Sequence, residues 1–188
     1  PLIEMMLDHD SGQVQGRFVA GLNREQLRLL LAGFCCCLGG AAAARLAGLI
    51  KGEAFAVAER MAVRLDLAER VVISTPMWNF GIPYKLKHWL DIVNQPGLTF
   101  RFDPARGYLP LLKDRPTLVI LASGGDFSTG MSRGRTDLAT PYLREALRFI
   151  GLRDVTFVAI GPTSGPAAHT AAARGRAHRM LVEMAARF

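Results

Sequence analysis

Val71-Val72-Ile73-Ser74-Thr75-Pro76-Met77-Trp78-Asn79-Phe80-Gly81-Ile82-Pro83 is the stretch on which the fold turns. An apolar, β-branched run comes first and ends at Pro76. A Met, two aromatics, an Asn and a Gly follow. Pro83 then suits the first turn of a helix, where its missing N–H has no partner to lose. The pattern is strand, loop, helix. In open parallel α/β sheets, ligands sit in the crevice at the carboxyl ends of the strands. Residues 77–80 are therefore a candidate wall for a flat ring with polar edges.

The flanking sequence repeats the alternation. Residues 53–68 read as an amphipathic helix with Phe55, Ala58, Ala62 and Leu65 near one face. After Pro83, Leu86, Trp89, Leu90 and Val93 recur at helical spacing, with Lys85, Lys87, His88 and Asp91 on the other faces. Thr117–Ala122 is a second apolar strand, stopped by Ser123-Gly124-Gly125. Thr140 is the expected cap of the next helix, with Pro141 at its first position. Leu143, Ala146, Leu147 and Ile150 form its stripe, and Gly151 ends it. Val155–Ile160 is a third strand, and a final helix runs from about Ala167. Short, continuously apolar strands between helices predict a parallel sheet covered on both faces, with right-handed crossovers. Residues 95–116 are long for a loop, and 98–102 alternate as a short edge segment would. Residues 10–31 can be read as helical. Residues 31–50, rich in Ala, Gly, Cys and Leu, have no turn chemistry at a definite place.

The gross numbers narrow the function classes. At 188 residues, half of them hydrophobic and 21% charged, the chain is read as one domain over 1–188, with 1–52 atypical. A net charge of +7 suits anionic partners or a solvated Arg-rich surface. Many arginines fall in the last quarter without interleaved aromatics, which argues against a nucleic-acid partner. Cys35, Cys36 and Cys37 are consecutive. That spacing suits neither a metal site nor a structural disulfide, but fits small buried residues in a reducing compartment. There is no N-terminal signal pattern, and the apolar segment 29–44 is short of the roughly 20 residues that span a bilayer. The expectation is a cytoplasmic protein with no membrane partner and no metal.

Two strand ends carry unusual loops, 77–80 and 122–126, and a doubly wound sheet sets them side by side. Glycine turns let backbone N–H groups approach a ligand closely. Asn79 offers both a donor and an acceptor. An isoalloxazine ring needs donors for N5, O4 and O2, an acceptor for N3–H, and apolar contact for its face. These residues suit that ring, although a strand followed by Gly-Gly is common in other settings.

The block from Met77 to Pro83, with Leu86-Lys87, Trp89-Leu90-Asp91 and Gly97-Leu98-Thr99-Phe100, resembles the FMN-dependent NADH-azoreductase family, quinone reductases of flavodoxin-like fold. The similarity covers about 53–188 and is strongest at 71–127. It implies a flavodoxin-like doubly wound parallel sheet and an FMN-dependent NAD(P)H oxidoreductase. By resemblance, Met77, Trp78, Asn79 and Phe80 match the first flavin-binding loop. Ala122, Ser123, Gly124 and Gly125 match the second, which is usually Ser-Arg-Gly-Gly. The departure at its first two positions matters little where main-chain groups make the contacts. Phe102 falls where the family often has a pocket Tyr, and Phe127 where another substrate-pocket residue is expected. Members are usually homodimers with the flavin near the interface. The implied reaction is ping-pong: NADH or NADPH delivers hydride to the flavin, and a quinone or azo compound then takes two electrons. The cofactor carries the chemistry, so no catalytic side chain is expected. His88 and Asp91, three apart on a helix, read as an exposed contact.

One departure is large. The family opens with a strand and a Ser-rich loop that cradles the FMN phosphate at a helix N-terminus. Here Asp8-His9-Asp10 is acidic and Ser11-Gly12 is isolated. The expectation is that the N-terminal strands 1 and 2 are missing or replaced, leaving residues 71–75 as an exposed edge. The rival reading is a flavodoxin-like remnant or interaction module that binds no flavin. A third is a membrane-associated protein using 29–44.

Overall fold

Alternating burial along the strands builds the sheet of the computed structural model, which describes residues 2–6 and 53–186. In chain order its elements are β1 (Leu2–Met6), α1 (Glu53–Leu67), β2 (Arg70–Pro76), α2 (Tyr84–Val93), β3 (Phe100–Asp103), β4 (Gly107–Pro110), β5 (Thr117–Ala122), β6 (Met131–Ser132), β7 (Arg135–Thr136), α3 (Ala139–Ile150), β8 (Val155–Ile160) and α4 (Ala167–Ala185). Strands β1, β2, β5 and β8 pair in that order, all parallel. The readings of 10–31, 31–50, the three cysteines, Ser11-Gly12 and the 29–44 segment lie outside the described residues.

Side chains of period two feed the two faces. Val71, Ile73 and Val119 join Leu65 of α1, Leu86 and Leu90 of α2, and Leu143, Leu147 and Ile150 of α3 in one core. Leu118 and Val158 join Ala177 of α4, with Val72, Ile120, Leu181 and Met184 packed against them. Each fully buried Leu contributes roughly 1.5–3 kcal/mol relative to exposure. Among the described residues, α1, α2 and α3 thus pack on one face and α4 on the other, as expected of a sheet covered on both faces.

Several expectations are refined. One of the two strand positions expected to be missing or replaced is occupied: Leu2 lies opposite Arg70 and Met6 opposite Ser74. Residues 71–75 are therefore not an exposed edge. A strand 2 has no counterpart among the described residues. The 95–116 loop folds as its own two-stranded ribbon, β3 against β4, rather than as an edge of the main sheet. Thr140 does not cap α3. The Asp137 carboxylate does, accepting the N–H groups of Ala139 at 2.8 Å and Thr140 at 2.9 Å. A carboxylate set just before a helix outcompetes a hydroxyl already inside the first turn. Asp91 pairs with Lys87, at i,i+4, rather than with His88. At Gly151 the backbone turns left-handed with φ 115°, and a Cβ there would collide with the Leu112 carbonyl. Only glycine closes α3 in that space.

Two polar devices at the amino edge of the sheet, one of them buried, escaped sequence reasoning. Arg115 is 7% exposed. One terminal nitrogen of its guanidinium lies 2.6 Å from the carbonyl oxygens of Leu65, Asp66 and Ala68, and the other donates to the Asp66 carboxylate at 3.1 Å. It caps the negative end of α1. Beside it, one Asp114 oxygen accepts the N–H groups of Arg153 at 2.8 Å, Arg115 at 3.0 Å and Asp154 at 3.1 Å. Partial burial raises the Asp114 pKa, but these backbone bonds outweigh it and hold the group below the usual carboxylate range.

Arg115→Met strands three carbonyls and is expected to lower unfolding free energy in urea by about 2–4 kcal/mol. Because the folded-state pKa of Asp114 is depressed, its contribution is present at neutral pH and is lost as pH falls through the folded-state value. Asp114→Asn should therefore melt lower than the parent at pH 7, and the gap should close on acidification in calorimetric scans.

Candidate functional site

Parallel pairing brings the strand ends together. Pro76 lies opposite Ala122, and Ala122 opposite Ile160, so three loops leave the carboxyl edge at one level. The Met77 N–H donates to the Ala122 carbonyl at 2.7 Å. The two sequence-predicted loops, 77–80 and 122–125, are thus joined at their first residues.

The first loop is a tight turn. Trp78 and Gly81 exchange both backbone hydrogen bonds at 2.9 Å. Asn79 and Phe80 between them have φ of 47° and 70°. A two-residue turn of type I′ requires both signs positive. Asn tolerates that region, whereas Phe is held there at a cost of about 1–2 kcal/mol. The Phe80 carbonyl accepts the Leu138 N–H at 2.9 Å, which straps the turn to the segment before α3. Trp78 and Phe80 remain 44% and 41% exposed, so the turn presents aromatic surface rather than burying it.

In the second loop the side chains face inward. Ser123 is buried, and its hydroxyl donates to the Gly125 carbonyl at 2.8 Å. A third loop, 161–165, locks it. The Thr163 N–H and hydroxyl donate to the Ser123 carbonyl at 2.9 and 3.0 Å, and the Ser164 hydroxyl donates to the Gly124 carbonyl at 3.0 Å. A Cβ on Gly125 would stand 2.6 Å from the Ser132 hydroxyl and 3.1 Å from the Phe127 ring. Phe127 is itself buried beneath that glycine.

A consistent polarity results. The carbonyls of Phe80, Ala122, Ser123, Gly124 and Gly125 are all engaged within the protein. The N–H groups of Asn79, Phe80, Gly124 and Gly125 donate to no acceptor among the described residues. Backbone donors demand partners. A set of them left over beside exposed aromatics suits a flat ligand whose edge carries acceptors. The departure at Ala122 and Ser123 falls on positions whose main chain and hydroxyl are spent inside the protein.

Phe102 is not brought to these loops within one chain. It is 62% exposed on the β3–β4 ribbon. That ribbon lies at the amino edge, where the Leu112 N–H meets the carbonyl of Ile150, the last residue of α3. There Phe102, Tyr108, Phe100 and Phe149 form a chain of ring contacts with centroids 4.7–5.8 Å apart.

Residues that sequence reasoning missed are Thr163, Ser164, Ser132 and the strap at Leu138. The first two follow a strand at the carboxyl edge, and the same rule that marked the other loops marks them. Nothing in the sequence signals Ser132 or Leu138, whose role comes from a neighbouring loop. Among the described residues no group of His, Cys, Asp and Glu could hold a metal, and no helix is long and apolar enough to cross a membrane.

Residues 8–182 match the family described as flavodoxin-like fold. The chain is 76% identical over 136 residues to FMN-dependent NADH:quinone oxidoreductase 1 of Bradyrhizobium diazoefficiens, covering 72% of this chain and 65% of that protein. It is 42% identical over 113 residues to an FMN-dependent NADH:quinone oxidoreductase of Ruegeria pomeroyi, covering 60% and 55%. The chain thus spans less than two thirds of the length of either relative. An azoreductase from Bacillus anthracis superposes with a TM-score of 0.67 at 22% identity, over 86% of this chain and 74% of that one, a likeness of fold.

Gly161→Ala tests the lock between the second and third loops. Its Cβ would collide with the Gly125 carbonyl and stand 2.8 Å from the Ser123 hydroxyl. The variant is expected to lose about 1–3 kcal/mol in denaturant titrations and to speed amide exchange at Gly124 and Gly125.

Proposed function

The chain belongs to the flavodoxin-like fold family, and from that premise we propose that it is an FMN-dependent NAD(P)H oxidoreductase that reduces quinones or azo compounds. The observation that carries the reading is the set of spare N–H groups on Asn79, Phe80, Gly124 and Gly125, gathered at one edge while the carbonyls beside them are tied inward. The names of the relatives from Bradyrhizobium and Ruegeria support the same activity. A protein that kept the fold only as an interaction module would have no use for donors so arranged, so the rival reading is not favoured.

In this reading Met77, Trp78, Asn79 and Phe80 hold one edge of the ring, and Ala122, Ser123, Gly124 and Gly125 border its pyrimidine end. The Asn79 amide supplies the donor and acceptor that a two-sided polar edge needs. Trp78 and Phe80 give an apolar wall that keeps water from the reacting face. FMN, when bound, supplies the two-electron transfer between nicotinamide and acceptor. The chain's own residues orient and shield it, and none acts as an obligatory acid or base. The residues after β1, where a phosphate loop is expected, lie outside the described ones.

Phe127 acts from beneath, as the support of Gly125. Phe102 reaches a pocket only from a second copy of the chain, since it stands at the opposite edge of its own. The exposed Phe102, Tyr108 and Phe149 surface supports a homodimer. A cytoplasmic location, where reduced nicotinamide is supplied, completes the reading.

The parent should purify yellow, or turn so with FMN, absorbing near about 450 nm. Asn79→Leu should weaken FMN binding by about tenfold or more in fluorescence titrations. Asn79→Gly, which keeps the turn, separates loss of the amide from strain. If Asn79→Leu holds FMN as tightly as the parent, the loop is misassigned.

A further inference from the structure

The β6–β7 ribbon touches both loops, and beyond Ser132 it has no role in the site as described. Ser132 of β6 packs against Gly125. On β7, the Arg135 guanidinium carbon lies 6.0 Å from the centre of the Phe80 ring. Its Nε donates to the Ser132 carbonyl at 3.3 Å, and its terminal nitrogens have no acceptor among the described residues. Arg133, at the tip of the same ribbon with φ 50°, is exposed and has no ion-pair partner among them. The carboxylates that flank the ribbon in sequence are engaged with backbone amides. Asp137 holds the first amides of α3, and Asp126 accepts the Ser128 N–H at 3.0 Å. Arg135 is thus fixed beside the Phe80 ring, with the exposed Arg133 two residues away, and neither has an ion-pair partner among the described residues.

We infer that Arg135, assisted by Arg133, binds the diphosphate of the nicotinamide dinucleotide and so sets recognition of the electron donor. The inference rests on the flavin reading of the carboxyl edge. A guanidinium fork matches phosphate oxygens, and one already anchored over a ring loses less freedom on binding than a free side chain. The ring of FMN would lie against the two loops, so a cation beyond Phe80 meets what extends past that ring. The ribbon meets the loops that follow β2 and β5, whereas a phosphate cradle is expected after β1. A dinucleotide carries its negative charges away from its reducing ring, whereas a quinone carries none.

The experiment uses the full chain loaded with FMN and two reductants: NADH, and 1-benzyl-1,4-dihydronicotinamide, which has the same reducing ring and no phosphate. Arg135→Gln should raise KM for NADH about tenfold and leave the rate with the benzyl compound unchanged. Calorimetric titration with NAD⁺ should weaken by a similar factor, and KM for NADH should lose part of its salt dependence. Arg179→Gln, on α4 across the sheet, makes the same charge change and should move none of these. An unchanged KM for NADH overturns the inference. So does an equal loss with both reductants, which would mean that Arg135 only props Phe80. A parent that holds no FMN removes the flavin reading and this inference with it. A yellow parent with an indifferent Arg135→Gln removes this inference alone.

Discussion

The register between β2 and β5 is the constraint on which the rest of the molecule depends. Both strands are apolar on both faces, so the hydrophobic pattern alone does not distinguish one alignment from the next. Polar contacts at the two ends do. At the amino edge, the Val71 N–H meets the Pro116 carbonyl, and Arg115 grips the last carbonyls of α1 just before β2 begins. At the carboxyl edge, the Met77 N–H meets the Ala122 carbonyl. A slip by one residue would break all of these and turn Val71 and Ile73 away from the core they share with α2 and α3. It would also part the two loops. Buried polar groups here specify which alignment is adopted, and apolar burial supplies the driving force.

The loops at the carboxyl edge spend their side chains on structure and keep their backbone donors spare. Ser123, Thr163 and Ser164 each tie a carbonyl inward. The strained residue is Phe80, held at positive φ by the paired bonds of Trp78 and Gly81 and by the Leu138 strap. Strain kept in place by several hydrogen bonds is a mark of sites where geometry matters more than local stability. Recognition through main-chain groups also explains how Ala122 and Ser123 can differ from the residues usual in the azoreductase family. The Ser123 side chain faces the interior, and in the proposed reading the ligand would be met by amides of the next two residues.

The two edges of the sheet have different jobs. The carboxyl edge carries spare donors, exposed rings and an arginine, Arg135, whose terminal nitrogens have no acceptor among the described residues. The amino edge carries Arg115, Asp114 and a ribbon of aromatic residues around Phe100 and Phe149. In the proposed dimer these edges would cooperate between copies, with Phe102 of one copy facing the carboxyl edge of the other.

The strands β2, β5 and β8, the helices between them and the stop at Gly151 were legible in the sequence. Each is written in local spacing: period two or continuous apolar runs for strands, period three to four for helices, glycine where φ turns positive. The first two loops of the candidate site were legible as loops for a related reason, since strand ends in a parallel sheet mark themselves by abrupt changes of composition. What local spacing cannot express is a partner fifty residues away. The cap on α3 came from Asp137 rather than Thr140, the cap on α1 came from Arg115, and Ser132 and Leu138 owe their place in the site to residues of other loops. Leu2–Met6 carries too short a pattern to announce itself, and its place beside β2 is set by pairing. Long-range hydrogen bonds and close approaches exist only once the chain is folded, so tertiary structure alone decided which backbone donors were left free.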